Sequence, residues 1–237
     1  MFPYDSRLAA CTQAFPRSIP DVLAVMHAID QICLDADGLR WFNWLYLQVT
    51  QAVENRVSSG GFNDPAWLAQ LDVQFAALYF NALNAALTGA PCPACWLEMF
   101  SARDQVKVAR IQFAFAGMNA HINHDLPFAI VATCKATNTI PQRGTPQDAD
   151  YTAVNPILDG LVDSAKKTLN VRLPGDALPP VSHLEDLLAQ WNLAEFRGLA
   201  WKHAETLWQG AVDAAMLKAT IDTLTALAGR ALLVPVP

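Results

Sequence analysis

Apolar residues recur at helical spacing along almost the whole chain, and the strict alternation of a half-buried strand is nearly absent. Ser18 is placed to cap a helix reaching about Asp35, with Pro20 and Asp21 in its first turn. A second helix spans about Asp37–Val57 and ends at Ser58-Ser59-Gly60-Gly61. Asp64-Pro65 opens a third, which runs to about Thr88 with Gly89 as its stop. A shorter helix covers about Ala94–Ala102, and a fifth starts near Asp104. Pro127 is expected to kink that fifth helix beside Asn123, because proline lacks an amide donor and clashes with the carbonyl four residues back. Thr137–Ala149 reads as a loop placed to act as a lid. A helix follows over about Asp150–Asn170, and then a Pro-rich linker at Leu173–Val181. Ser182 and Glu185 form a capping box for a helix to about Gln209, with a break near Asn192, and a last helix covers about Ala211–Leu233. Residues 1–17 read as an irregular arm. The expectation is a single all-α domain, a bundle of about eight helices around a kinked central one.

One segment breaks the apolar pattern. Within Asn119–Asp125, itself inside an apolar run from Ile111 to Thr133, stand two Asn, two His and one Asp. An unpaired buried polar group costs roughly 1–3 kcal/mol, so this cluster needs partners, water or a metal. At about 100° per residue, His121, His124 and Asp125 share one arc of about 100°, and Asn119 and Asn123 share the opposite one. Polar groups on two sides of an apolar helix mark a rod surrounded by other helices.

The arc of His121, His124 and Asp125 has metal-ligand spacing, with imidazole and carboxylate donors that suit zinc, iron or manganese. Asp72, inside the apolar stretch Leu71–Phe75, is the candidate ligand from a facing helix, and Glu54, Asp150 and His203 are weaker ones. Without metal, His121 beside Asp125 is an oriented general base. In the structural alternative, the two form a buried pair while Asn119 and Asn123 tie helix ends together. Arg197 lies on a helical stripe with Trp201, Ala204 and Trp208. A buried bidentate partner for it, Asp125 or Asp72, stands against a solvent-facing guanidinium over Trp201. Trp41, Trp44, Tyr46, Phe75, Tyr79 and Phe80 are candidates to line an apolar pocket, although aromatics at this spacing usually serve the core. Cys92-Pro93-Ala94-Cys95 has redox spacing but no preceding strand and no second cysteine pair, so it reads as a helix-start turn with incidental thiols. His27 reads as satisfied and His183 as solvated.

Composition narrows the function classes. Hydrophobic residues make up 53% of the chain and charged residues 16%, which implies a large core and either a self-association face or an apolar pocket. The net charge is −6 and no Lys/Arg cluster exists, which disfavours nucleic acid and anionic membrane surfaces as partners. No apolar run is long enough for a membrane span, and the first residues lack a signal-peptide pattern. Five scattered cysteines fit free thiols in a reducing compartment, so the expected location is the cytoplasm. No phosphate loop or dinucleotide fingerprint is present, so no nucleotide cofactor is expected.

The run Gly117–Leu126 resembles the signature of a bacterial family of unknown function, Gly-(Met/Ile)-Asn-Ala-His-Ile-Asn-x-Asp-Leu. Thr50 with Phe62 and Asp64, Leu71-Asp72 with Phe75 and Tyr79, Asp150 with Asn155, and Arg197 with Ala200-Trp201 are similar to further landmarks of it, over most of the chain. The resemblance implies a helical fold and no established activity. It leaves the His124 position variable, which favours Asn119, His121, Asn123 and Asp125. A remoter likeness is to zinc-dependent phospholipase C, all-α with His and Asp four apart on a helix. Those enzymes use an N-terminal Trp and several more His ligands, whereas this chain begins Met1-Phe2 and has five His.

These readings converge on an enzyme of specialised metabolism acting on a small, largely apolar molecule. His121 is its base or metal ligand, Asp125 the orienter or second ligand, Asn119 and Asn123 position polar groups, and Asp72 and Arg197 complete the site. A non-catalytic carrier or helical interaction module is the alternative, and a homodimer with the polar cluster setting register is a third reading.

Overall fold

The chain enters the fold through a helix where an irregular arm was expected. In the computed structural model, which describes residues 2–175 and 192–235, α1 spans Asp5–Cys11 and buries Leu8. The arm is held by charge. Arg103 pairs with Asp37 through two hydrogen bonds, its Nε donating at 2.8 Å, and its NH1 reaches Asp5 at 3.0 Å. The Tyr4 hydroxyl donates to Asp37 at 3.0 Å, so the carboxylate knots α1, the start of the next long helix and residue 103 together.

Three predicted helices appear with the predicted signals. These are α2 (Ile19–Ile32), α3 (Gly38–Ser58) and α4 (Pro65–Thr88). Ser18 Oγ accepts from Asp21 N at 3.2 Å, Asp64 Oδ1 accepts from Trp67 N at 3.0 Å, and Gly89 closes α4 at φ 76°. α5 (Ala94–Ala102) also forms where its pattern placed it. The next helix, α6 (Arg110–Asn119), starts six residues later than expected near Asp104. Its first turn is held by Gln112, whose Oε1 accepts from Ala109 N at 2.8 Å while its Nε2 donates to Leu232 O at 2.7 Å.

The predicted kink at Pro127 takes another form. A six-residue π-helix, Ala120–Asp125, separates α6 from α7 (Leu126–Thr137), and Pro127 sits in the first turn of α7. Leu126 N donates to His121 O five residues back, and the amide that proline lacks is one a helix start leaves unpaired anyway. The wider turn absorbs an extra residue, a device that recurs at functional sites.

The expected lid loop is shorter, because Thr145 caps α8 (Pro146–Ala153). Val154 and Pro156 then divide the single helix expected over 150–170, with α9 running Asn155–Thr168. α10 (Leu193–Gln209) is capped by Asn192, and α11 (Ala214–Leu232) ends the fold. The Ser182–Glu185 capping box and His183 lie outside the described residues. The protein is all-α, and its buried hydrophobic side chains form one core.

α6, the π-helix and α7 form the central rod. α3 and α11 pack on α6, and α4 and α10 pack on α7. Gly117 sets the closest approach: a Cβ there would lie 2.3 Å from Phe42 Cγ. The signature glycine therefore lets α3 lie against the rod directly before the polar cluster.

Candidate functional site

Asp125, the last residue of the π-helix, is 2% exposed and accepts three side-chain hydrogen bonds. His121 Nδ1 lies 2.9 Å and Trp96 Nε1 3.0 Å from its Oδ2, and His124 Nδ1 lies 2.7 Å from its Oδ1. Burial pushes its pKa up, but the bonds from His121 and His124 outweigh burial and hold it below the ordinary carboxylate value. Ionised, the carboxylate can only accept, so each Nδ1 carries a proton, and in a neutral ring Nε2 keeps its lone pair. For His121, burial outweighs the pull of Asp125 and lowers the pKa, so the ring is neutral at neutral pH.

His121 is wedged among aromatic rings. Phe75 stacks on it with centroids 3.4 Å apart and planes 4° apart, and Tyr46 meets it edge-on at 4.6 Å. Beside it lies an apolar cleft with an empty volume of about 680 Å³, counting the part open to solvent. Tyr46, Leu71, Asp72, Phe75, His121 and Arg197 are on its wall. Of the six aromatics expected to line a pocket, Tyr46 and Phe75 do so, whereas Trp41, Tyr79 and Phe80 are buried in the core and Trp44 is half-buried against it. Two polar atoms of the wall residues, His121 Nε2 and Asp72 Oδ2, are buried with no hydrogen-bond partner among the described residues, and the buried Tyr46 hydroxyl has the Thr50 hydroxyl beside it.

Burial, and then the charge of Glu54, raise the Asp72 carboxyl from its ordinary value to about 7. The folded protein thus holds a proton that the unfolded chain releases near pH 4. Its contribution to stability is present below that pH and is lost as pH rises through about 7. Urea unfolding at successive pH values should show stability falling between pH about 4 and 7, and Asp72→Asn should flatten that slope. An unchanged slope in the variant would show that Asp72 carries no raised pKa.

Arg197 is buried, but neither expected carboxylate partner reaches it. Its Nε donates to Asn155 Oδ1 at 2.7 Å and its NH2 to Tyr151 O at 2.6 Å, with the guanidinium 4.0 Å over the Tyr151 ring. No described carboxylate lies within ion-pair distance, and α8 and α9 offer amide, carbonyl and ring partners instead. Burial lowers its pKa, and it remains a cation on the cleft wall.

Asn119 and Asn123 are brought together away from the cleft. Asn123 Nδ2 donates to Asn119 Oδ1 at 3.0 Å, and Asn119 Nδ2 donates to Thr225 O at 2.8 Å, which ties the rod to α11. The expected metal set of His121, His124, Asp125 and Asp72 is not assembled around one point. Both Nδ1 atoms are spent on Asp125, and the cluster of ligand atoms within 4.8 Å of one another joins His124 instead to Cys95 and Asp222. Trp96, Cys95 and Asp222 were missed as neighbours of the cluster. Cys95 carried a signal in its CxxC spacing, and Asp222, lying in an ordinary amphipathic helix, carried none. Asp150 is structural: it accepts from Asn63 N at 2.8 Å and Asp64 N at 2.6 Å, fixing α8 to the start of α4. Glu54 and His203 are half-buried, and neither joins the clustered ligand atoms.

Fold and site together define an all-α protein whose central helix carries a carboxylate held between two histidines, one of them beside an apolar cleft. The model described as "Family of unknown function (DUF5995)" matches residues 19–235. The chain belongs to that family. No curated protein and no solved structure gives a significant match. No helix among the described residues is long and apolar enough to cross a membrane.

Proposed function

We propose that this protein is an enzyme that takes a small, largely apolar molecule into the cleft and uses His121 Nε2 as a general base. One observation carries the reading: two buried polar atoms without partners, on His121 and Asp72, belong to the wall of one apolar cleft. Native proteins rarely leave such atoms unpaired, because each costs roughly 1–3 kcal/mol, and a substrate's polar group would satisfy them. In the reaction, Nε2 takes a proton from water or a substrate hydroxyl, and Asp125 stabilises the imidazolium that forms. Asp72 in its protonated form donates to a substrate oxygen, and Arg197 anchors an anionic or carbonyl group at the far end of an otherwise greasy ligand.

Carriage without chemistry is the second reading, favoured by the burial of Nε2 itself: a ligand engages it only as the cleft wall yields. Two probes separate them. Anilinonaphthalene sulfonate, an apolar anion, should bind by fluorescence titration, and Leu71→Trp, which fills the cleft, should abolish binding. p-Nitrophenyl hexanoate should be hydrolysed above the buffer rate, and His121→Gln should lose roughly 10²-fold of that rate while keeping dye affinity and thermal stability. Dye binding without any turnover would leave the carrier reading standing, and no dye binding at all would remove both.

A further inference from the structure

The second histidine on Asp125 serves a different place. We propose that Cys95, His124 and Asp222 form a zinc site, independent of the His121 cleft, with a fourth coordination position open to an adjoining groove. The three residues come from α5, the π-helix and α11, far apart in sequence, yet their ligand atoms lie within 4.8 Å of one another.

A second observation points to a ligand. With His124 Nδ1 spent on Asp125 at 2.7 Å, the nitrogen left for ligation is Nε2, and that atom is buried without a partner among the described residues on a side chain 3% exposed. A carboxylate on one imidazole nitrogen and a metal on the other is the usual way a histidine ligand is oriented and made more basic.

Asp222 is fixed as well. Its two oxygens accept from Ala94 N and Cys95 N, each at 2.9 Å, at the start of α5. Burial pushes its pKa up, but those bonds hold it below the ordinary value, so it is ionised. Beside it, burial and the negative charges of Asp125 and Asp222 push the Cys95 thiol far up, so without a cation the sulfur keeps its proton. Zinc reverses that balance: the S–H bond breaks, an S–Zn bond forms, and the proton leaves to solvent with no change of oxidation state.

The donor set selects the metal. One thiolate, one imidazole and one carboxylate suit borderline-soft zinc better than hard magnesium or calcium. Zinc bonds of about 2.0–2.3 Å put ligand atoms roughly 3.3–3.8 Å apart, so the cluster needs to close by at most about 1.5 Å. Of the three protein ligands, His124 also lines an open groove with Pro91, Pro93, Phe128 and Lys218, and three ligands with access from a groove match the three-plus-one arrangement of sites that keep an exchangeable position. Cys92 is outside the set, with its thiol donating to Ala82 O at 3.4 Å.

The test uses the full chain without a His tag, stripped with chelator and titrated separately with Zn²⁺ against a chromogenic chelator and with Co²⁺. One equivalent should bind, with the thiolate-to-cobalt charge-transfer band and the intense visible bands of four-coordinate cobalt, and zinc should raise the thermal midpoint. Cys95→Ser should erase the charge-transfer band and weaken zinc binding at least roughly tenfold, and His124→Gln should weaken it similarly. Cys92→Ser should change neither. Circular dichroism checks that each variant is folded, and His124→Gln decides if Cys95→Ser is not. Failure of the wild-type chain to bind, or a charge-transfer band that survives Cys95→Ser or disappears in Cys92→Ser, overturns the proposal. Neither outcome touches the His121 cleft, whose dye and ester probes need no metal.

Discussion

Replacing Asp125 by Asn is expected to release one of the two histidines and to cost about 2–4 kcal/mol of stability. The carboxylate serves three buried donors, on His121, His124 and Trp96, and it does so as an acceptor on both oxygens. An amide keeps one acceptor and turns a donor toward whichever histidine faces its nitrogen. That histidine can escape only by moving its proton to Nε2, which destroys the lone pair used for base chemistry or metal binding. The variant should therefore lose ester hydrolysis if the nitrogen faces His121, or lower zinc affinity roughly 10–100-fold if it faces His124. Urea unfolding reads the stability, and long-range proton–nitrogen correlation spectra of the imidazoles read the tautomers. Unchanged stability with both rings still protonated on Nδ1 would show that the carboxylate does not organise the centre.

The largest loss of stability is expected far from the cleft. Asp37→Ala should cost about 3–5 kcal/mol, because it strands the Arg103 guanidinium in a buried position. Asp5 remains beside it but reaches only NH1, at 3.0 Å. The Tyr4 hydroxyl loses its acceptor in the same step, and with it goes the anchor of α1. Replacing both partners by apolar residues, Asp37→Leu with Arg103→Met, should recover much of the loss, since an apolar pair leaves no charge without a partner. Denaturant unfolding of the two variants and the double variant closes the cycle. If the single Asp37 replacement falls within about 1 kcal/mol of the wild type, the pair behaves like a surface ion pair and the account of the N-terminal clamp is wrong.

Much of the architecture was legible because helix signals are local. Ser18, Asp64 with Pro65, and Gly89 act on amides or carbonyls a few residues away, and each does so here. The arm was misread because seven residues are too few for a periodic signal, and α1 is stabilised by Asp37 and Arg103, distant in sequence. The pairing of His121 with Asp125 was likewise readable from a spacing of four. His124 was not: a regular α-helix puts it on the same arc, but the π-turn changes the angular step and sends its free nitrogen elsewhere. Arg197 could be read as buried from its apolar stripe. Its actual partners, Asn155 and the Tyr151 carbonyl, lie on elements whose approach no local pattern encodes.

The chain by itself determined that this is an all-α protein with a polar centre in an apolar helix, because periodicity and the cost of burying polar groups act through residues near one another in sequence. The tertiary structure alone decided how that centre is divided. It placed His121 with Asp72 and Arg197 at one cleft, and His124 with Cys95 and Asp222 at another place. The physical reason is that hydrogen bonds and ligand sets are completed across helix–helix contacts. Those contacts depend on how α4, α5, α10 and α11 pack around the rod, which no single stretch of sequence specifies.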